Sequence, residues 1–131
     1  MKICHVINSL SGGGAETHLL DLVHAQKNQG HSVTVISTGP DKKNMKSLEQ
    51  EFKDVSDNVI RLYFPRLFNF YSYIKFFKNL KDEQYDIVHT HQPRSDFMFF
   101  ILKSFTGIKA KWIVSIHGKY DTYLEGNILF D

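Results

Sequence analysis

Residues 2–20 decide how this chain folds: Lys2-Ile3-Cys4-His5-Val6-Ile7-Asn8-Ser9-Leu10-Ser11-Gly12-Gly13-Gly14-Ala15-Glu16-Thr17-His18-Leu19-Leu20. Residues 2–8 read as a short buried strand, an apolar run bounded by turn formers. Three glycines follow, and a helical pattern begins at about Ala15 and runs to Gln29, where Gly30 stops it. A strand that turns through glycine straight into a helix leaves bare N–H groups at the helix N-terminus. Such a turn suits the close approach of an anionic or sugar-phosphate ligand. In open α/β sheets this turn also lies where ligands bind, at the carboxyl end of a strand.

The same alternation continues downstream. His31–Ser37 reads as a second strand, closed by Gly39-Pro40. Residues 41–57 are polar, with a short helix expected over Ser47–Phe52. Val59–Leu62 gives a third strand and Tyr85–Thr90 a fourth. Between them, Phe70, Tyr73, Ile74, Phe77 and Leu80 fall on one helical stripe, which predicts a helix buried along that stripe. A helix over Ser95–Phe105 precedes a fifth strand, Lys111–Ile116, with His117-Gly118 at its end. Strands separated by helices of this length mean βαβ units. The expected architecture is an α/β, Rossmann-like, doubly wound parallel sheet. Residues 119–131 read as an element entered but not finished, so the chain is expected to be a piece of a longer protein.

The chain has 131 residues, enough for one domain with a real core. Its net charge of +2 gives no global argument for nucleic acid, and the basic residues are few and match no binding motif. The lone cysteine, Cys4, lies inside an apolar strand and reads as a small buried hydrophobe. With one cysteine no internal disulfide forms, which fits a reducing cytoplasm. The N-terminus lacks the pattern of a secretory leader, and the apolar runs are too short to span a bilayer.

The glycine turn fails two familiar tests. Counting from Gly12, Thr17 stands where a dinucleotide fingerprint needs its third glycine, and no acid closes the second strand, where Ser37-Thr38-Gly39 stands. No Gly-Lys-Ser/Thr of a phosphate loop is present either. Glu16, in the first helical turn, reads either as a complement to the helix dipole or as a ligand contact. His89 and His91 stand two apart, so their side chains share one face of a strand. A metal pair there lacks a third ligand at short spacing, so no metal is expected. His89 reads as packed in the sheet and His91 as facing the crevice, with Arg94 and Asp96 beyond it able to bind hydroxyls. His117, at the end of the fifth strand beside Gly118, is placed to donate to a sugar hydroxyl or a developing charge.

Three segments together, ICHVINSLSGGGAETHLLDLVHAQKNQGHSVTVIS, YDIVHTHQPRSDF and WIVSIHG, resemble glycosyltransferase family 4, retaining enzymes of the two-domain GT-B fold. The resemblance covers essentially the whole chain and is to the acceptor-binding N-terminal domain. It implies that Gly12, Gly13, Gly14 and Gly118 lie near the donor phosphates and that His117 contacts the donor sugar as the catalytic residue. It further implies that His91, Arg94 and Asp96 line the acceptor cleft. The partners implied are a nucleotide sugar and a saccharide or lipid-linked acceptor, with no separate cofactor. The family's nucleotide-binding second domain, with its paired glutamates, has no counterpart here, so the fragment alone is expected to be inactive. The alternatives left open are a non-catalytic Rossmann-like binding module and an NAD(P)-type nucleotide-binding domain.

Residues 61–81 stand apart: Arg61, Arg66, Lys75, Lys78 and Lys81 occur with no acid, among eight aromatic residues. A core stripe does not use Tyr63, Phe64, Phe68, Tyr71 and Phe76. Contact with an anionic membrane surface, through Arg66, Lys75 and Lys78, accounts for them and for a peripheral location at the inner face of a membrane.

Overall fold

Parallel pairing links strands that are far apart in sequence. The computed structural model describes residues 1–62 and 70–115, together with the backbone of 127–130. The elements, in chain order, are β1 (Lys2–Ile7), α1 (Gly14–Asn28), β2 (Ser32–Ser37), α2 (Glu49–Val55), β3 (Asn58–Arg61), α3 (Phe70–Glu83), β4 (Ile87–His91), α4 (Pro93–Phe105), β5 (Lys111–Ser115) and β6 (Asn127–Phe130). The sheet order is β3-β2-β1-β4-β5-β6. The first five strands are parallel, while β6 runs antiparallel on β5, where the sequence showed only an unfinished element.

Each face of the sheet buries its own apolar cluster. On one side Ile7, Val33 and Val35 pack with Leu19 and Val23 of α1 and Phe52 of α2. On the other, Cys4, Val6, Val88, Trp112 and Val114 pack with Phe76 and Leu80 of α3 and Met98, Phe99 and Leu102 of α4. Burial on both faces explains why the central strands are runs of β-branched residues rather than alternating ones. Burial pushes the Cys4 thiol up, so it stays protonated and inert. Trp112 stacks edge-on against Phe99 and donates its indole N–H to Thr90 Oγ1 at 2.8 Å, which joins β5 to β4.

Two expectations need correction here. α2 begins later than expected, because Ser47 pairs as a bridge with Ser11 and cannot also be helical. α3 is rotated relative to its apolar stripe: Ser72, Phe76 and Leu80 are buried, whereas Phe70 is 78% exposed and Ile74 half exposed. The apolar arc of α3 is wider than the sheet can cover, and one half is left outward. α4 behaves alike, with Phe97 and Phe100 exposed and Phe105 84% exposed. Phe70, Ile74, Phe77, Ile101 and Phe105 line an apolar groove of about 480 Å³ between the two helices.

Candidate functional site

The order of strand connections reverses between β1 and β4, and a doubly wound sheet opens a crevice at the carboxyl ends of such a pair. Asn8 leaves β1 there and Gln92 leaves β4. The Asn8 N–H donates to Gln92 Oε1 at 3.1 Å, and Ser95 Oγ donates to Asn8 Oδ1 at 2.9 Å. Gln92 caps α4 with φ +79 and ψ 149, a backbone conformation that L-residues rarely hold, ahead of Pro93 at the first helical position. Strain of this kind persists where surrounding bonds over-determine it, and here it lies at the mouth of the crevice.

The opposite wall is the glycine turn. Gly13 caps α1 with an extended backbone, and no side chain caps the helix. The turn is held from outside by residues 41–48. Leu10 N–H donates to Asp41 Oδ1 at 3.0 Å, and Lys42 N–H donates to Ser11 Oγ at 2.6 Å. Gly12 N–H donates to the Lys46 carbonyl at 2.7 Å, and Leu48 N–H to the Leu10 carbonyl at 2.6 Å. Asp41 is fixed by Arg61 at 2.9 Å. Burial would raise the Asp41 carboxyl, but hydrogen bonds from Arg61, Ser47 and the Leu10 N–H outweigh it and hold the group below its ordinary value.

The glycines divide their roles. The Gly12 N–H is spent on Lys46 and the Gly13 N–H on the Ser11 carbonyl, at 2.8 Å, so Gly13 is not the ligand donor that its place in the motif suggests. The first-turn N–H groups of Gly14, Ala15 and Glu16 have no intrahelical partner and form the donor edge of this wall. Gly13 is small for another reason. A Cβ there would stand 2.6 Å from Glu16 Oε2, and Glu16 is buried, taking a hydrogen bond from Ser9 Oγ at 3.2 Å with Lys42 Nζ at 3.9 Å. A Cβ on Gly14 would meet nothing within 4 Å.

His91 does not face the crevice. It is fully buried, with its ring stacked on His89 at 4.1 Å between centroids and its Nε2 3.0 Å from Nδ1 of His5. The parallel register explains this: His5 pairs with His89, so β1 brings a third imidazole to the face shared by His89 and His91. His5 Nε2–H donates to Gln26 Oε1 of α1 at 2.8 Å, and burial lowers His5 from its ordinary value to about 4, opposed by the Gln26 bond. His89 Nε2 meets Ser115 Oγ of β5. Arg94 and Asp96 lie in the first turn of α4 beside the crevice. One Asp96 oxygen, Oδ1, is buried with no hydrogen-bond partner among the described residues. Burial raises the carboxyl, against a hydrogen bond with Thr90. His117, Gly118 and Arg66 lie outside the described residues.

Sequence reasoning missed His5, Asn8, Asp41 and Gln92. The first and last depend on strand register and backbone geometry, which no local pattern reveals. Another cavity, of about 530 Å³, lies at the opposite end of the sheet, lined by Lys81, Asp86 and residues 107–110. It therefore plays no part in this crevice.

The sequence profile of glycosyltransferase family 4 matches residues 12–129. The chain belongs to glycosyltransferase family 4. A similar solved structure is the lipopolysaccharide outer core galactosyltransferase WaaB in its apo form. It has a TM-score of 0.68 and 18% identity over 93% of this chain and 35% of that one. That likeness is one of fold, the Rossmann-like α/β layer of a GT-B glycosyltransferase, as the family resemblance implied. The family 4 chain spans about a third of WaaB. No curated protein sequence matches it. Among the described residues no helix is long and apolar enough to cross a membrane.

Proposed function

We propose that this chain forms the acceptor-side half of a retaining glycosyltransferase. The parent enzyme would move a sugar from a nucleotide-sugar donor to a saccharide or lipid-linked acceptor in cell-envelope polysaccharide synthesis. The observation that carries the reading is the β1/β4 switch point, flanked by an uncapped helix N-terminus and by strained Gln92, in a chain of family 4. In this reading the N–H groups of Gly14, Ala15 and Glu16 face the donor phosphates or the acceptor. Arg94 and Asp96 hold acceptor hydroxyls. His117 orients the donor sugar and stabilises charge as the glycosidic bond breaks, with Gly118 giving it room. His91 supports this wall from behind and does not touch the acceptor. The donor's diphosphate is held mainly by a second domain, so transfer takes place in a cleft closed between domains.

The test is sugar transfer from a panel of nucleotide sugars, measured on the full-length parent and on the 131-residue chain. Turnover is expected from the parent alone. Turnover by the isolated chain, or a melting shift of the chain with NAD(P), would count against the reading.

The outward half of α3 favours a peripheral position at an anionic membrane for this same enzyme. Phe70, Tyr71 and Ile74 are exposed beside Lys75, Lys78 and Lys81, with Phe100 and Phe105 exposed on α4. Part of this face comes from α4, which the charge and aromatic pattern of residues 61–81 did not include.

A further inference from the structure

Three histidines meet inside the sheet, and the hydroxyl-binding chemistry of the crevice uses none of them. We propose that His5, His89 and His91 bind one divalent transition-metal ion, zinc first among them, as a clasp between β1 and β4.

The sequence discounted a metal because His89 and His91 lack a third ligand nearby in the chain; the fold supplies it from 84 residues upstream, where His5 lies opposite His89 in the parallel register. One ring nitrogen from each histidine lies within 4.8 Å of the others. Metal–nitrogen bonds of about 2.0–2.1 Å place the ligands of a tetrahedral ion roughly 3.4 Å apart. His5 Nδ1 and His91 Nε2 stand 3.0 Å apart in a hydrogen bond, whose proton the ion would replace as the two nitrogens part to about 3.4 Å and the third closes in from within 4.8 Å.

The outer partners fit the same chemistry. Metal-bound imidazoles commonly engage a carbonyl or other polar group through their second nitrogen, which fixes the tautomer. His5 gives its Nε2–H to Gln26 Oε1, leaving Nδ1 with its lone pair toward His91. His89 meets Ser115 Oγ through Nε2. An all-imidazole set selects zinc, copper, nickel or cobalt over magnesium and calcium, which want oxygen. Central parallel strands ordinarily fill such positions with aliphatic residues, which need no polar partners. The cluster is buried, so the ion would act on the fold and not on a substrate: it would pin His91, and with it the neighbouring Gln92 at the crevice mouth.

The test uses the whole chain without an affinity tag, stripped with chelator and titrated with Co2+ and with Zn2+. We expect one ion per chain, the strong visible absorption of tetrahedral cobalt, and a melting temperature raised by about 10 °C at a hundredfold excess over Kd. His91→Gln or His89→Gln should abolish the band, while the exposed pair His18→Gln/His24→Gln should keep it. Absence of the tetrahedral band in the unsubstituted chain overturns the proposal, even if both buried variants fail to fold. So does a band that survives His91→Gln, or one lost with His18 and His24.

Discussion

Replacing Gly13 with alanine tests whether the middle glycine of the turn serves the protein's own packing. The new Cβ would stand 2.6 Å from Glu16 Oε2, and the carboxylate has no open side to retreat into, because Glu16 is 1% exposed. Its displacement weakens the hydrogen bond from Ser9 and strains the turn. Overpacking of this kind costs roughly 1–3 kcal/mol, and a bond to a charged group is worth about 1.5–3 kcal/mol when lost outright. Gly13 has φ −83, so alanine adopts its backbone without strain. The entropy gained, about 0.4–1 kcal/mol, is offset by the poorer capping of alanine. The expected net loss for Gly13→Ala is about 2 kcal/mol. In a Glu16→Ala background the same substitution should lie within about 0.5 kcal/mol of neutral, giving a coupling near 2 kcal/mol. Urea unfolding followed by the fluorescence of Trp112, the chain's single tryptophan, measures all four corners of the cycle. An equal cost in both backgrounds would refute the argument and return Gly13 to the role of a ligand approach.

Gly14→Ala should stabilise the chain by about 0.4–1 kcal/mol, since a Cβ there meets nothing, yet slow sugar transfer by the full-length parent; unfolding and initial rates read the two effects. His5 titrates at about 4 in the folded chain against 6.5 ordinarily, so the native state resists protonation. Its stabilising effect is complete above about pH 6.5 and is lost as pH falls toward 4. The metal-free chain should therefore lose about 2 kcal/mol between roughly pH 7.5 and pH 5. His89, His91 and Gln26 face His5, and His5→Gln should flatten that slope in urea melts; an unchanged slope assigns it elsewhere. Lys75→Glu with Lys78→Glu should cut co-sedimentation with phosphatidylserine vesicles several-fold and leave binding to neutral vesicles unchanged. Equal binding by the reversed variant would remove the membrane contact.

The order of strands and helices was legible because short β-branched runs alternate with helical stretches, with Gly30, Pro93 and Gly107 marking helix ends. Positions that depend on partners were not. The stripe of α3 pointed to Tyr73 and Ile74, yet Phe76 is the residue that reaches the sheet, because an apolar arc wider than its interface leaves the choice of rotation to the neighbouring elements. His91 was placed just past the fourth strand and facing the crevice, whereas it ends β4 and packs against His5; the pairing of β1 with β4 leaves no local trace in either segment. The glycine turn was legible as a turn. Which of its N–H groups remain available was not, since Lys46 and Ser11 decide it.

The hold of residues 41–48 on the glycine turn limits how this motif can be moved. Arg61 at the end of β3 fixes Asp41, Asp41 fixes Leu10, and Lys46 fixes Gly12. Grafting residues 8–17 onto another Rossmann-like sheet would transfer the glycines without the clamp that shapes them. A recipient would need the polar segment after its second strand and the arginine on its third as well, so the smallest transplantable unit is the whole β1–β3 half of the sheet.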